Sequence, residues 1–373
     1  MKIGITCYPT YGGSGVVATE LGKKLAEYGH EVHFIAYALP YRLNVFTANI
    51  YYHEVDVVQY PLFEYPPYSL SLASKMAEVI EYQKLDLLHV HYAIPHATSA
   101  YLAKKILNNP DFKVITTLHG TDITLLGSDP SYLKITQFSI EESSAVTAVS
   151  HYLKKETERV FGIKKEIEVI PNFIPFNITT PINRKELRRQ FAEDDEFILT
   201  HISNFRPVKR ITDIVPTVRK VLEHKKVKVL MVGDGPERYK AEEQCREAKI
   251  CDRVLFLGKQ ESIKDILSIT DVALYPSGSE SFGLAALESL AYSIPCVTTN
   301  AGGLSEVNID QVTGFTFAVG DIDGFAAAII KILSDRDLAA QLGENAARIS
   351  REKYGAEKII PQYINYYKKV LSE

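Results

Sequence analysis

The chain has no run of apolar residues close to the roughly 20 needed to cross a bilayer as a helix, so no membrane partner is expected. Cysteine is scarce. Cys7, Cys245, Cys251 and Cys296 stand at spacings that fit neither a disulfide framework nor a zinc site, and they read as reduced thiols of a cytoplasmic protein, mostly packing residues. An excess of positive charge is missing too: 42 Lys and Arg stand against 46 Asp and Glu, a net charge of −4. The basic stripe that would meet a nucleic-acid backbone is therefore not expected. The small basic clusters at 184–189 and 225–228 read as solvated helix faces. Short-period repeats and low-complexity tracts are absent from the sequence. The opening MKIGITCYP is broken at Pro9 with no cleavage site after it, so it reads as a first strand rather than a signal peptide. Without a secretion signal the sequon Asn177-Ile178-Thr179 carries no weight.

What is present suits two globular domains: 373 residues, 46% hydrophobic and 24% charged. Short β-branched runs alternate with longer amphipathic stretches. Strands are expected at 2–7, 31–36, 87–91, 114–118, 145–149 and 167–170, then again at 197–202, 228–232, 253–257, 272–275 and 296–298. Helices fit 16–28, 211–223, 236–248, 282–292, 324–333 and 356–371; in the first, Val17, Leu21 and Leu25 make one apolar stripe. Such alternation predicts parallel sheets in an α/β fold with two Rossmann-like domains facing across a cleft. The proline-bearing stretch 171–181 is the expected linker.

Five segments at predicted strand ends carry the chemistry. Tyr11-Gly12-Gly13-Ser14-Gly15 could bring backbone amides to an anion at a helix start, or be only a tight turn; it is neither a G-x-G-x-x-G fingerprint nor a Walker A sequence. His119-Gly120-Thr121 follows a strand, so His119 is either a ligand contact or a satisfied structural histidine. His89 and His91 could mimic a metal pair, but no third ligand is placed with them, and packing or hydrogen bonding is expected. Asn204-Phe205-Arg206-Pro207-Val208-Lys209-Arg210 puts three cations after a strand, where they suit a departing diphosphate or form an exposed basic turn. Gly233-Asp234-Gly235-Pro236, with Leu257-Gly258-Lys259 after the next strand, could frame a flat base. Glu280-Ser281-Phe282-Gly283-Leu284 runs on to Glu288, predicted about two turns into a helix whose first amides would meet phosphate while the carboxylates accept sugar hydroxyls.

The last spacing resembles the E-x7-E motif of the large retaining glycosyltransferase family with the GT-B fold, family 4, and the resemblance extends over nearly the whole chain, through to Ala301-Gly302-Gly303-Leu304-Ser305-Glu306. It implies an N-terminal acceptor-side domain, 1–172, completed by a C-terminal helix within 353–373, and a nucleotide-sugar domain, 173–352. It implies that Glu280 holds the donor sugar and Glu288 the ribose. Gly13, Arg206, Lys209, Gly233 and the segment Phe282, Gly283 and Leu284 would serve the rest of the UDP-sugar. His119 would meet the sugar near the reacting carbon, so that His119, Glu280 and Lys209 form the catalytic set.

One departure stands out. Many relatives carry arginine five residues before the phosphate lysine; here that place is Asn204, and Arg206 could serve the diphosphate or the acceptor. The opening stretch and SNFRPVKR are similar to a branch of the family that transfers N-acetylglucosamine from UDP-N-acetylglucosamine to the hydroxyl of L-malate, which starts bacillithiol synthesis. Ser14, Tyr92, Thr121, Asn204 and Arg206 are the acceptor candidates. No resident cofactor and no metal are expected, since no D-x-D motif stands at a strand end. A lipid or polysaccharide acceptor, with 60–68 as a loop near it, a UDP-sugar epimerase and a non-catalytic sensor remain alternatives. The oligomeric state is open, a homo-oligomer included.

Overall fold

The computed structural model describes residues 1–10, 13–43, 46–57, 64–124, 129–175 and 183–373, without the side chain of residue 122. Most of the expected linker, and residues 60–63 of the expected acceptor loop, lie outside the described residues, as do Tyr11 and Gly12. The chain divides into two units, Met1–Phe173 with Ala356–Glu373, and Ile174–Gly355.

Among the described residues the N-terminal unit holds a seven-stranded sheet. Its strands are β1 (Lys2–Thr6), β2 (Glu31–Ala36), β3 (Ile50–Glu54), β4 (Leu87–His91), β5 (Lys113–Leu118), β6 (Ala145–Ala148) and β7 (Ile167–Val169). Their spatial order is β3-β2-β1-β4-β5-β6-β7, and every pairing is parallel. Both faces are covered, so the strands read as nearly continuous apolar runs. On one face Ile3, Ile5, Leu87 and Ile115 pack with Leu21 and Leu25 of the helix Gly13–Glu27. On the other, Leu88, Val90 and Val114 pack with Leu72 and Met76 of the helix Tyr68–Gln83. The last helix, Ala356–Ser372, adds Ile359, Ile360, Tyr363 and Tyr367 to the first of these cores.

The second unit holds β8 (Phe197–Ile202), β9 (Val227–Val232), β10 (Val254–Gly258), β11 (Val272–Tyr275), β12 (Cys296–Thr299) and β13 (Gly314–Phe317). Their order is β10-β9-β8-β11-β12-β13, again all parallel. Alternate residues of β9 face opposite cores: Val227, Val229 and Met231 lie on one side, Leu230 and Val232 on the other. Cys7, Cys245 and Cys296 are buried free thiols, and Cys251 is exposed. No helix among the described residues is long and apolar enough to cross a membrane.

Strands β3 and β13 were not expected from the sequence. Both are edge strands, and both are half exposed, so their sequences lack an apolar run. In each sheet the strand order reverses once, at β1/β4 and at β8/β11, and ligands of open parallel sheets collect at the carboxyl ends of strands at such a reversal.

Tyr363 is fully buried where the last helix covers the first sheet. Tyr363→Ala should therefore cost about 3–5 kcal/mol, the range for removing a buried aromatic ring. Urea unfolding followed by circular dichroism checks this, and an unchanged midpoint would show that the helix does not hold the N-terminal unit together.

Candidate active site

In the second unit the basic turn and the glutamate loop follow β8 and β11, the neighbours at the strand reversal. Pro207–Lys209 forms one 3₁₀ turn, ended by Arg210 in the left-handed conformation (φ 49°). Gly278 donates its N–H to the carbonyl of Val208 at 2.7 Å, which ties the two segments together. Lys209 Nζ then lies 2.5 Å from Glu280 Oε1, with the two side chains 20% and 15% exposed. Ser277 Oγ donates to the same carboxylate oxygen at 2.9 Å. Lysine has three donors and a carboxylate two acceptor oxygens, so both partners keep capacity for a ligand.

Beyond Glu280, Gly283 stands at the cap position with φ 96°, ahead of the helix Leu284–Ala291. A Cβ there would come within 2.5 Å of Leu304 Cδ1, so both backbone sign and space call for glycine. Among the described residues no side chain caps this helix, and its first-turn amides are of the kind that can meet an anion. Tyr275 OH fixes the helix by donating to the carbonyl of Ala285 at 2.9 Å and contacting Ser289 Oγ at 2.8 Å. Phe282 is buried and meets Tyr354 edge to face at 5.6 Å. The helix starts two residues later than the sequence pattern suggested. Glu288 therefore sits about one turn into it, not two, because the left-handed Gly283 cannot be part of the helix. Glu288 is half-buried.

The Gly-Asp-Gly-Pro turn is knitted to its neighbours. Gly233 donates to Gly258 O at 2.8 Å, linking the two turns that the sequence pairs, and a Cβ on Gly233 (φ 123°) would fall 1.8 Å from Ser203 O. His201, fully buried under this turn, has Nδ1 2.7 Å from Leu274 O and Nε2 2.7 Å from Ser203 Oγ. A carbonyl only accepts, so Nδ1 carries the proton and Nε2 accepts from the serine. Asn204 and Arg206 are exposed on the turn. Arg210, the third cation of the basic segment, is turned to Asp213 through Nε at 2.7 Å.

In the N-terminal unit the predicted residues gather at the ends of β1, β4 and β5. Gly13 is exposed at the first position of its helix, and Ser14 Oγ lies 2.7 Å from Tyr92 OH. Tyr92 takes φ 93°, unusual for a residue with a side chain, and its ring is 5.4 Å from that of His119. Thr121 opens the short helix Thr121–Thr124 and is half-buried. His119 is 7% exposed, with Nε2 2.8 Å from Nδ1 of the fully buried His91. His89, one strand pitch below, lies 2.7 Å from both Tyr367 OH and Thr117 Oγ1, so the His89/His91 pair is a hydrogen-bonding pair. Among the described residues no group of three His, Cys, Asp or Glu side chains is placed to hold a metal. Sequence reading missed Ser277, His201 and His96; the pattern Ser277-x-x-Glu280 was the one local signal available.

The pattern of the family described as "Glycosyltransferase Family 4" matches residues 11–177, and that described as "Glycosyl transferases group 1" matches residues 183–349. Over its whole length the chain is 49% identical to the N-acetyl-alpha-D-glucosaminyl L-malate synthase of Bacillus anthracis, covering 98% of that protein. The chain is a family 4 glycosyltransferase. Its fold is GT-B: it aligns with the Anabaena protein HepE, solved in complex with UDP and glucose, at a TM-score of 0.85 and 19% identity, over 99% of this chain and 100% of the other. Sucrose-phosphate synthase from Thermosynechococcus elongatus aligns at 0.82 and 21% identity, over 100% and 99%.

Burial keeps His89, His91, His96, His119 and His201 of the glycosyltransferase neutral and lowers the buried His33 as well. Burial pushes His89 and His119 down to about 3, and His96 and His201 to about 4, while His91 falls well below its ordinary value. Above pH 6.5 both folded and unfolded chains hold these rings neutral. As pH falls below 6.5 the unfolded chain takes up protons that the folded chain refuses, so stability drops from pH 6.5 towards pH 4. Each ring contributes a slope of about 1.4 kcal/mol per pH unit. Urea midpoints measured from pH 7 to 5 should fall steeply, most for the N-terminal unit, which holds four of the five. A flat profile would mean that the rings are charged in the folded protein.

Proposed function

We propose that this glycosyltransferase transfers N-acetylglucosamine from UDP-N-acetylglucosamine to the hydroxyl of L-malate with retention at the anomeric carbon, releasing UDP, as the first step of bacillithiol synthesis. The observation that carries the reading is the Lys209–Glu280 pair beside an uncapped helix start at the strand reversal. The choice of sugar and acceptor is supported by the end-to-end identity with the malate synthase relative.

The roles follow from the chemistry of each group. Lys209 and the amides from Gly283 onward stabilise the charge that grows on the diphosphate as its bond to the sugar breaks. Gly13 adds an amide at another helix start. Glu280 accepts sugar hydroxyls and Glu288 the ribose, because ionised carboxylates only accept. Gly233 lets its turn close against the Ser203 backbone, and this turn frames the base. His119 meets the sugar near the reacting carbon. Ser14, Tyr92, Thr121, Asn204 and Arg206 take the malate, whose two carboxylates call for hydroxyl and amide donors and a guanidinium.

The sugar passes through an oxocarbenium-like state. Its bond to the phosphate oxygen breaks on the face where the bond to the malate oxygen forms, and the malate hydroxyl proton goes to that phosphate oxygen. Lys209 and the helix amides supply positive charge where a metal would otherwise be needed, so the reaction proceeds without added divalent ion.

Incubation with UDP-N-acetylglucosamine and L-malate in chelator should release UDP and the α-glycoside, read by mass spectrometry and proton NMR. No glycoside with malate, or full and reversible loss of rate in chelator, would overturn the acceptor or the metal-free reading respectively. For Glu280→Gln, turnover should fall by about 10²-fold or more, the loss expected when a transition-state contact is removed. Near-normal turnover would take Glu280 out of the active site.

A further inference from the structure

A line of polar side chains runs under the N-terminal sheet to His119. Tyr367 OH from the last helix meets His89 Nδ1 at 2.7 Å, and the His89 ring lies tilted by 30° against that of His91 with centroids 4.5 Å apart. His91 stacks in turn on His119, with centroids 5.0 Å apart and planes at 23°, and the two share the contact from Nδ1 of His91 to Nε2 of His119. Both rings are neutral because burial holds their pKa values down, so each carries one N–H, and the shared contact holds one proton.

Two arrangements satisfy that contact. With the proton on His119 Nε2, the N–H of His91 moves to its own Nε2, which is buried without a partner among the described residues. With the proton on His91 Nδ1, the same Nε2 is a bare acceptor and His119 carries its proton on Nδ1. Orphaned buried N–H groups are rarer than unsatisfied acceptors, so the second arrangement is favoured. His96 cannot reverse the choice. Its Nδ1 donates to the carbonyl of His91, and its own Nε2 is likewise buried without a partner among the described residues.

We propose that His91 is a positioning residue that donates from Nδ1 to His119 and so fixes His119 as its Nδ1–H tautomer, a hydrogen-bond donor aimed at the donor sugar. The proposal rests on the reading that His119 meets that sugar. The hydrogen bond made by one ring nitrogen decides which nitrogen of an imidazole faces a ligand as donor. His119 in this tautomer gives a proton contact to a sugar oxygen and has no free lone pair for the acceptor hydroxyl, in keeping with a phosphate oxygen as base.

The test is imidazole nitrogen NMR on the full chain labelled with ¹⁵N-histidine at pH 7.5, with the His119 signals assigned by their loss in His119→Ala. Protonated Nδ1 and bare Nε2 are expected, and a protonated Nε2 would overturn the proposal whatever the activity. In parallel, His91→Phe keeps the stacked plate and removes the donor, while His91→Asn restores an amide donor near Nδ1. Turnover of His91→Phe should fall about tenfold or more with the KM for UDP-N-acetylglucosamine within about twofold, and His91→Asn should recover most of it. In a His119→Ala background, His91→Phe should have no further effect. Full turnover in folded His91→Phe, equal losses in Phe and Asn, or additive losses with His119→Ala would each overturn the positioning role. Unchanged turnover in His119→Ala alone would instead sink the catalytic reading of His119, leaving the tautomer to be decided by the NMR arm.

Discussion

Lys209 and Glu280 are 71 residues apart in sequence and 2.5 Å apart in space, and this contact depends on a single feature of the parallel sheet. β8 and β11 are neighbours although β9 and β10 come between them in the chain. In an open parallel sheet the connections diverge where strand order reverses, which leaves the strand ends accessible. The basic turn leaves β8 at that point and the glutamate loop leaves β11, and the Gly278–Val208 hydrogen bond draws them together. Tyr275, the last residue of β11, then holds the helix whose amides stand next in line.

The pair is also an electrostatic device. Two opposite charges partly withdrawn from water support each other, and removal of either would leave its partner uncompensated. Ser277 adds a neutral donor to the same carboxylate oxygen, so the glutamate is oriented before any ligand arrives. In the proposed reaction a diphosphate would meet a lysine already held in place, without first having to order a long flexible side chain, and such preorganisation is where fixed charges gain their advantage over water.

The central strands were legible in the sequence because buried parallel strands are uniformly apolar, and so was the placement of the glutamate, glycine and basic segments at strand ends. The Gly233 and Gly258 turns, paired on sequence grounds, share a hydrogen bond. What was not legible has physical causes. β3 and β13 lie at sheet edges and carry mixed polarity, so no apolar run marks them. The start of the helix before Glu288 depends on the sign of one φ angle, which a glycine permits without requiring it. Arg210 reads like its neighbours Arg206 and Lys209, but a partner three residues on, Asp213, takes its guanidinium. The partners of His89, His91 and His119 come from separate strands and from a helix more than 240 residues away, beyond the reach of any local spacing.

Both units bury neutral imidazoles, His201 in the second, but they differ in what they add to them. The second unit brings charge to the rim, as an ion pair that keeps part of its surface in water. The first places neutral imidazoles, hydroxyls and a tyrosine in its interior, where full charges would carry a far larger desolvation penalty. Neutral groups can be buried at modest cost only if their hydrogen bonds are made, and the strands alone do not make them. Thr117 supplies one partner for His89, but the other is Tyr367, contributed by the last helix after the chain has completed the second unit. The hydrogen bonds of His89 are therefore completed only once the C-terminal helix has docked. That requirement gives the return of the chain to its first unit a role beyond covering apolar surface: it supplies the second hydrogen-bond partner of His89, whose ring lies against that of His91.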